Sequence, residues 1–253
     1  MPRTSTPSRD LFLPAERRLI DRLRTPAAVQ RWLNALPYNT EPPPGRATLR
    51  SFRGVVRHHT AHCMEAAMAA AVILEQHGYP PLVLSFESID HLDHVLFVYH
   101  APTGWGSVAR SRDPGLHGRL PVFRTARALA LSYFDPYVDF TGRITGYAVV
   151  NLGRELGDYD WRLSEKSVWK AERLLLEWPH RPIRSSDARF ERLRRWYRHY
   201  RETYRRKPAY EYEGSEYWSE LPRAYQRARR IKTERSCLRT PSETREELFE
   251  DAE

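Results

Sequence analysis

Cysteine is scarce: 253 residues hold only Cys63 and Cys237, far apart and in unlike surroundings. A disulfide framework is therefore excluded as an organising principle, and a reducing, cytoplasmic setting is expected. No apolar run approaches the ~20 residues that a membrane-crossing helix needs, so no membrane partner is expected. The first residues, Met1-Pro2-Arg3-Thr4-Ser5-Thr6-Pro7-Ser8, are polar and lead into no signal-peptide-like apolar stretch. Internal repeats and recognised nucleic-acid modules are absent from the pattern as well. What the chain does have is a hydrophobic fraction of 41%, ample for the core of one large domain or two small ones. It also carries 41 Lys and Arg against 32 Asp and Glu, a formal net charge of +9.

Punctuation divides the rest. Residues 13–24 read as one helix and 26–36 as a second, capped by Thr25 with Pro26 at its first position. Glu41 and the prolines after it force an extended loop. Residues 144–151 read as a strand with Tyr147, Val149 and Asn151 on one face, and 125–133 as a helix. Ser164 is expected to cap a helix ending near Trp178, before Pro179. Helices, then sheet, then helices again make the class α+β.

One cysteine stands where its chemistry changes. In the run from Thr60 through Cys63 to Gly78, Thr60 reads as an N-cap and Gly78 as a stop, which puts Cys63 in the first helical turn. Unpaired amides and the helix dipole there favour a thiolate. A cysteine among alanines also fits as a small buried hydrophobe. The next stretch adds a second group. Residues 81–86 read as a buried strand, Asp93 and His94 open another, and 105–111 complete an antiparallel hairpin after the turn at residues 101–104. His94 thus heads a strand, and the neighbouring strand ends near Ser111, Arg112 and Asp113. A base at a strand end, with an acceptor alongside to orient its ring, is what thiol catalysis requires.

This order of Cys on a helix and His on the next strand resembles the transglutaminase-like cysteine superfamily. Segments 25–39, 61–67, 93–96, 121–124, 131–134, 167–169 and 174–180 are together similar to a mostly bacterial branch of it, over roughly residues 15–180. The resemblance implies a transglutaminase-like (papain-like) core, with a nucleophile-bearing helix packed on an antiparallel sheet and further C-terminal helices. It implies Cys63 as nucleophile and His94 as base in acyl transfer on a protein or peptide substrate, with no cofactor. Amide hydrolysis ranks ahead of crosslinking, which needs a site that excludes water and admits an amine. The branch carries a Ser-Asn-Phe-like stretch where this chain reads Ser111-Arg112-Asp113. The third role stays open between Asp113 as orienter of the imidazole and Asp113 as a turn residue before Pro114. Asp93 is the weaker candidate, since a regular pleat points it to the other face. The oxyanion would be held by the Cys63 amide and one upstream donor, Asn39 or His59. The rival from another class is a non-catalytic domain of this fold that binds a protein or peptide.

The expected organisation is a domain over 10–180, a basic amphipathic helix over 181–207 docked on it, and a charged tail over 208–253. The helix carries Arg189, Arg192, Arg194, Arg195, Arg198, Arg201, Arg205, Arg206 and Lys207 with Trp196, Tyr197, Tyr200 and Tyr204 interleaved. Phe190, Leu193, Tyr197, Tyr200 and Tyr204 recur at spacings of three and four, an apolar stripe facing the domain with arginines facing water. An acidic partner or anionic substrate suits that surface better than nucleic acid does. His58, His59 and His62 beside Cys63 suggest metal ligands, but a cap at Thr60 breaks the helical spacing, and no metal is expected. His62 stands instead to add positive field at the thiol.

Overall fold

The computed structural model describes residues 6–39, 41, 47–88, 91–111, 116–134, 144–192 and 195, with backbone alone for 91–93. Four helices come first: α1 (Pro14–Arg22), α2 (Pro26–Ala35), α3 (Phe52–His58) and α4 (Cys63–Glu75). Strands β1 (Leu82–Ser88), β2 (His91–Ala101), β3 (Gly104–Val108) and β4 (Arg119–Phe123) follow, then α5 (Ala126–Leu131) and β5 (Ile144–Asn151). The order closes with α6 (Leu152–Leu156), α7 (Trp169–Glu177) and β6 (Arg181–Pro182). All six strands join one antiparallel sheet in the order β4-β3-β2-β1-β5-β6. The class is α+β.

Alternation along the strands feeds two separate cores. Val83, Val95, Phe97, Tyr99, Val108, Ala148 and Val150 face α4 and the other early helices. Leu84, Phe86, Leu96, Val98, Phe123 and Tyr147 pack on the opposite side with Leu129, Ala130 and Tyr133. Tyr147 and Val149 thus share a face, as the period-2 reading of that segment requires.

Helix α4 is the centre of the first core. Every residue from Met64 to Glu75 is buried, which is why its sequence is apolar all round rather than striped. Alanine at 66, 67, 69, 70 and 71 lets the backbone lie close to β1 and β2 without loss of helix propensity. Two polar anchors then fix what lies around it. The buried Gln30 side chain of α2 accepts from Ala109 N (2.9 Å) and donates to Ala109 O (2.7 Å), so it pairs with the chain leaving β3 as a strand would. At the far end, Glu75 accepts from Arg162 Nε (2.6 Å) and Nη2 (3.0 Å), a bidentate pair with the guanidinium over the Trp161 ring.

Two capping assignments change. The N-cap of α4 is His62, not Thr60, because Glu65 reaches back to the His62 amide (3.1 Å) while the Thr60 hydroxyl accepts from Arg50 Nη1 (2.6 Å). Ser164 caps no helix: its hydroxyl closes a local turn with Lys166, and α7 begins after Val168. Residues 187–192 are helical, and the Arg189 guanidinium lies 3.8 Å from the Phe134 ring centre. The rest of the expected basic helix, apart from Arg195, and the whole expected tail fall outside the described residues. Among the described residues no helix is long and apolar enough to cross a membrane.

Candidate active site

Cys63 is the first residue of α4, half-buried and free of any disulfide. Its amide is one of the first-turn N–H groups that no carbonyl within the helix can reach. The thiol meets two imidazoles, His62 beside it and His94 from β2, which bond to it and act on it by charge. His94 alternates with Leu96 and Val98, so it belongs to the second face of the sheet, whereas α4 packs on the first. The β2–β3 ladder starts only at Phe97 paired with Val108. His94, Val95 and Leu96 therefore pair with β1 on one flank and, among the described residues, with no strand on the other.

The His94 ring is held firmly. It stacks parallel to Phe86, its cross-strand partner, with centroids 6.4 Å apart, and tilts against Tyr133 at 6.0 Å. Its Nε2 lies 3.0 Å from the Leu116 carbonyl oxygen. A carbonyl only accepts, so Nε2 carries a proton and the neutral ring keeps its lone pair on Nδ1. The orienter that the structure gives His94 is thus a main-chain oxygen. Asp113, the expected orienter, lies outside the described residues, as does Arg112, and Asp93 is described in its backbone only.

Leu116 is itself positioned by a buried polar layer. His117 Nε2 lies 3.0 Å from Arg110 Nη1 and 3.2 Å from Ser111 O, and Arg110 donates to Ser111 O (2.9 Å) and Leu36 O (3.1 Å). Burial, then the charge of Arg110, push the His117 pKa down to about 3, so this ring is neutral near pH 7. The His117 carbonyl receives the Tyr133 hydroxyl (3.0 Å) and Arg119 Nη1 (2.6 Å).

On the other side of the sulfur, His62 Nε2 lies 3.0 Å from Thr48 O and 3.6 Å from Glu65 Oε1. Glu65 is fully buried and accepts from His62 N (3.1 Å), Asn39 Nδ2 (3.0 Å), Thr48 Oγ1 (3.2 Å) and Arg50 N (2.9 Å). Burial alone would lower the His62 pKa, but its bond to Cys63, the thiolate charge, the Glu65 charge and the Thr48 carbonyl outweigh it and hold it up to about 9. Burial alone would raise the Cys63 thiol; the two histidines, bonding and charged, bring it well below its ordinary value. Both shifts run toward a thiolate facing an imidazolium.

Neither upstream candidate is placed to hold an oxyanion. Asn39 spends both amide hydrogens on Thr48 Oγ1 (2.8 Å) and Glu65. His59 is exposed at the end of α3 in the left-handed conformation (φ 54°), and it lines a separate cavity of about 360 Å³ with Glu16, Arg53 and Glu165. Among the described residues no three His, Cys, Asp or Glu side chains converge as metal ligands. The sequence reading passed over Glu65, although a Glu three residues past the cap before an apolar run is a capping signature. It had no means of finding the Leu116 carbonyl, which carries no side-chain signal. The chain matches no known family model and no curated protein.

Proposed function

We propose that this protein is a cysteine-dependent acyl-transfer enzyme with a transglutaminase-like core, acting on an amide or ester of a protein or peptide in a reducing, cytoplasmic setting. The observation that carries the reading is Cys63 at a helix start beside His62, which is backed by Thr48 O and Glu65, and near His94, whose tautomer is set by a carbonyl. Cys63 attacks the carbonyl carbon, the Cys63 amide donates to the developing oxyanion, and His94 delivers the proton to the leaving group. Water then completes hydrolysis, which ranks ahead of transfer to an amine because crosslinking needs a site that excludes water and admits an amine.

Brief iodoacetamide labelling of the full chain at pH 6, read by site-resolved mass spectrometry, tests this. Cys63 is expected to label much faster than Cys237, and an activated ester should leave an acyl mass on Cys63 that is lost with time. Labelling of Cys63 no faster than Cys237 would leave a buried structural thiol and return the chain to a binding role.

A further inference from the structure

The two imidazoles at the sulfur are not equivalent, and their surroundings divide the work between them. His94 has a neutral anchor, the Leu116 carbonyl, and among the described residues no carboxylate pairs with its ring. His62 is backed by the Thr48 carbonyl and by the Glu65 carboxylate. The charges acting on His62 are the Cys63 thiolate and the Glu65 carboxylate, both from the first turn of α4, and Glu41 stands one step away, accepting from Thr48 N (2.6 Å). Arg50, a cation on the same loop as Thr48, directs its guanidinium to Thr60 Oγ1 and gives Glu65 its amide.

Resting on the acyl-transfer reading, we propose that Glu65 and His62 form a standing ion pair whose imidazolium stays charged through the whole cycle, stabilising first the thiolate and then the oxyanion, while His94 alone carries the mobile proton. The charges balance. Glu65 neutralises His62, and the proton lost by Cys63 sits on His94. When Sγ bonds to the carbonyl carbon, the π pair moves to oxygen, beside the Cys63 amide and His62. Collapse breaks the bond to the leaving group, which takes the proton from His94. Water then adds, gives a proton to His94, and expels the thiolate with release of the acid. His62 is a catalytic residue in this scheme, and Glu65 is a positioning residue that acts through it.

The test is the pH profile of Cys63 alkylation in the full chain, compared among wild type, His62→Asn and His94→Asn. Asparagine is a good N-cap, so the helix start survives the first change. His62→Asn is expected to slow labelling at pH 6 by about tenfold or more, since each unit of thiol pKa changes the thiolate fraction about tenfold. His94→Asn should retain faster low-pH labelling than His62→Asn while failing to discharge an acyl group. In Glu65→Gln, the ring titration of His62 followed by NMR should fall from about 9 toward an ordinary histidine. An unchanged profile in His62→Asn, or loss of low-pH labelling in His94→Asn alone, would overturn the division of labour and leave the Cys63–His94 reading standing. A wild type without low-pH labelling would overturn both.

Discussion

The two ends of α4 each bury a glutamate, and they use it differently. At the C-terminal end Glu75 is consumed by one guanidinium, Arg162, in two short bonds. At the N-terminal end Glu65 is shared among four donors from three segments, only the more distant His62 ring being able to carry charge. The first arrangement is closed and has nothing left to offer; the second leaves its cation with a face toward Cys63. A buried carboxylate can thus staple a helix to its neighbours or tune a nucleophile, and what decides is whether its partner's other side is free.

Breaking the staple should give the largest effect. Arg162→Met leaves Glu75 buried without its counter-charge, a change that costs about 3–5 kcal/mol. Urea unfolding should show it. Burial already holds the Glu75 pKa above the ordinary carboxylate value despite Arg162. A raised carboxylate costs stability as pH rises through its folded pKa, so the deficit in Arg162→Met should shrink in acid. Molecules that remain folded should keep the Cys63 alkylation profile. A shifted profile would mean the two ends are coupled through the helix.

The next change acts on the active end from a distance. A Cβ at Gly118 would fall 2.1 Å from Gln30 Oε1 and 2.5 Å from Ser107 O, both already engaged around the chain that leaves β3. Gly118→Ala must therefore disturb the clamp at Ala109 and the segment carrying Leu116 and His117. A loss of about 1–3 kcal/mol is expected from overpacking. Release of the His94 tautomer, visible by NMR of the ring nitrogens, should accompany it. An unchanged His94 spectrum would show that Leu116 does not depend on this clamp.

How far the site was legible follows from the kind of signal each residue carries. A helix starting at Cys63 and a strand carrying His94 were legible because such elements leave local patterns, although β2 opens at His91 rather than beside His94, and α1, α2, α4 and the β2–β3 hairpin were legible for the same reason. Short elements such as α3, α6 and β6 have too few residues to show a period. The contact of Glu65 with Asn39 and Thr48 joins positions 26 and 17 residues apart, and only the folded chain reveals it. The Leu116 carbonyl is further removed still, because a backbone oxygen has no residue type.

Moving pH probes the active end without a mutation. Alkylation of Cys63 should rise through the depressed thiol pKa, hold a plateau, and change again near pH 9 as His62 loses its proton. The stability terms run in opposite directions. The raised His62 pKa contributes stability that is complete below its unfolded value of 6.5 and lost as pH rises through about 9. The depressed Cys63 pKa contributes stability present above its unfolded value of 9.0 and lost as pH falls through the folded value. Between 6.5 and 9 the two slopes oppose, so wild-type stability should be nearly flat there, while His62→Asn loses the histidine's slope and keeps only the part of the thiolate's slope that His94 sustains, so its stability should rise with pH over a narrower range. A parallel response in both proteins would remove His62 from the titrating pair.

The smallest effect sets the scale for both ends. Arg53–Glu16 and Arg57–Glu165 are ion pairs of the same length, 2.9 Å, lining the same cavity. They differ in exposure: side chains are 17% and 2% exposed in the first and 68% and 57% in the second. Length alone would make them equal. Water and salt screen the outer pair, so Arg57→Ala should cost under about 1 kcal/mol, and less in high salt. Arg53→Ala strands a buried carboxylate that also caps α1 at the Leu13 amide (2.7 Å), and it should cost more by a clear margin. Denaturant midpoints for the two variants, at low and high salt, decide it. Equal losses would show that burial is not what separates a stapling carboxylate from an idle one, and the contrast drawn between Glu75 and Glu65 would need another cause.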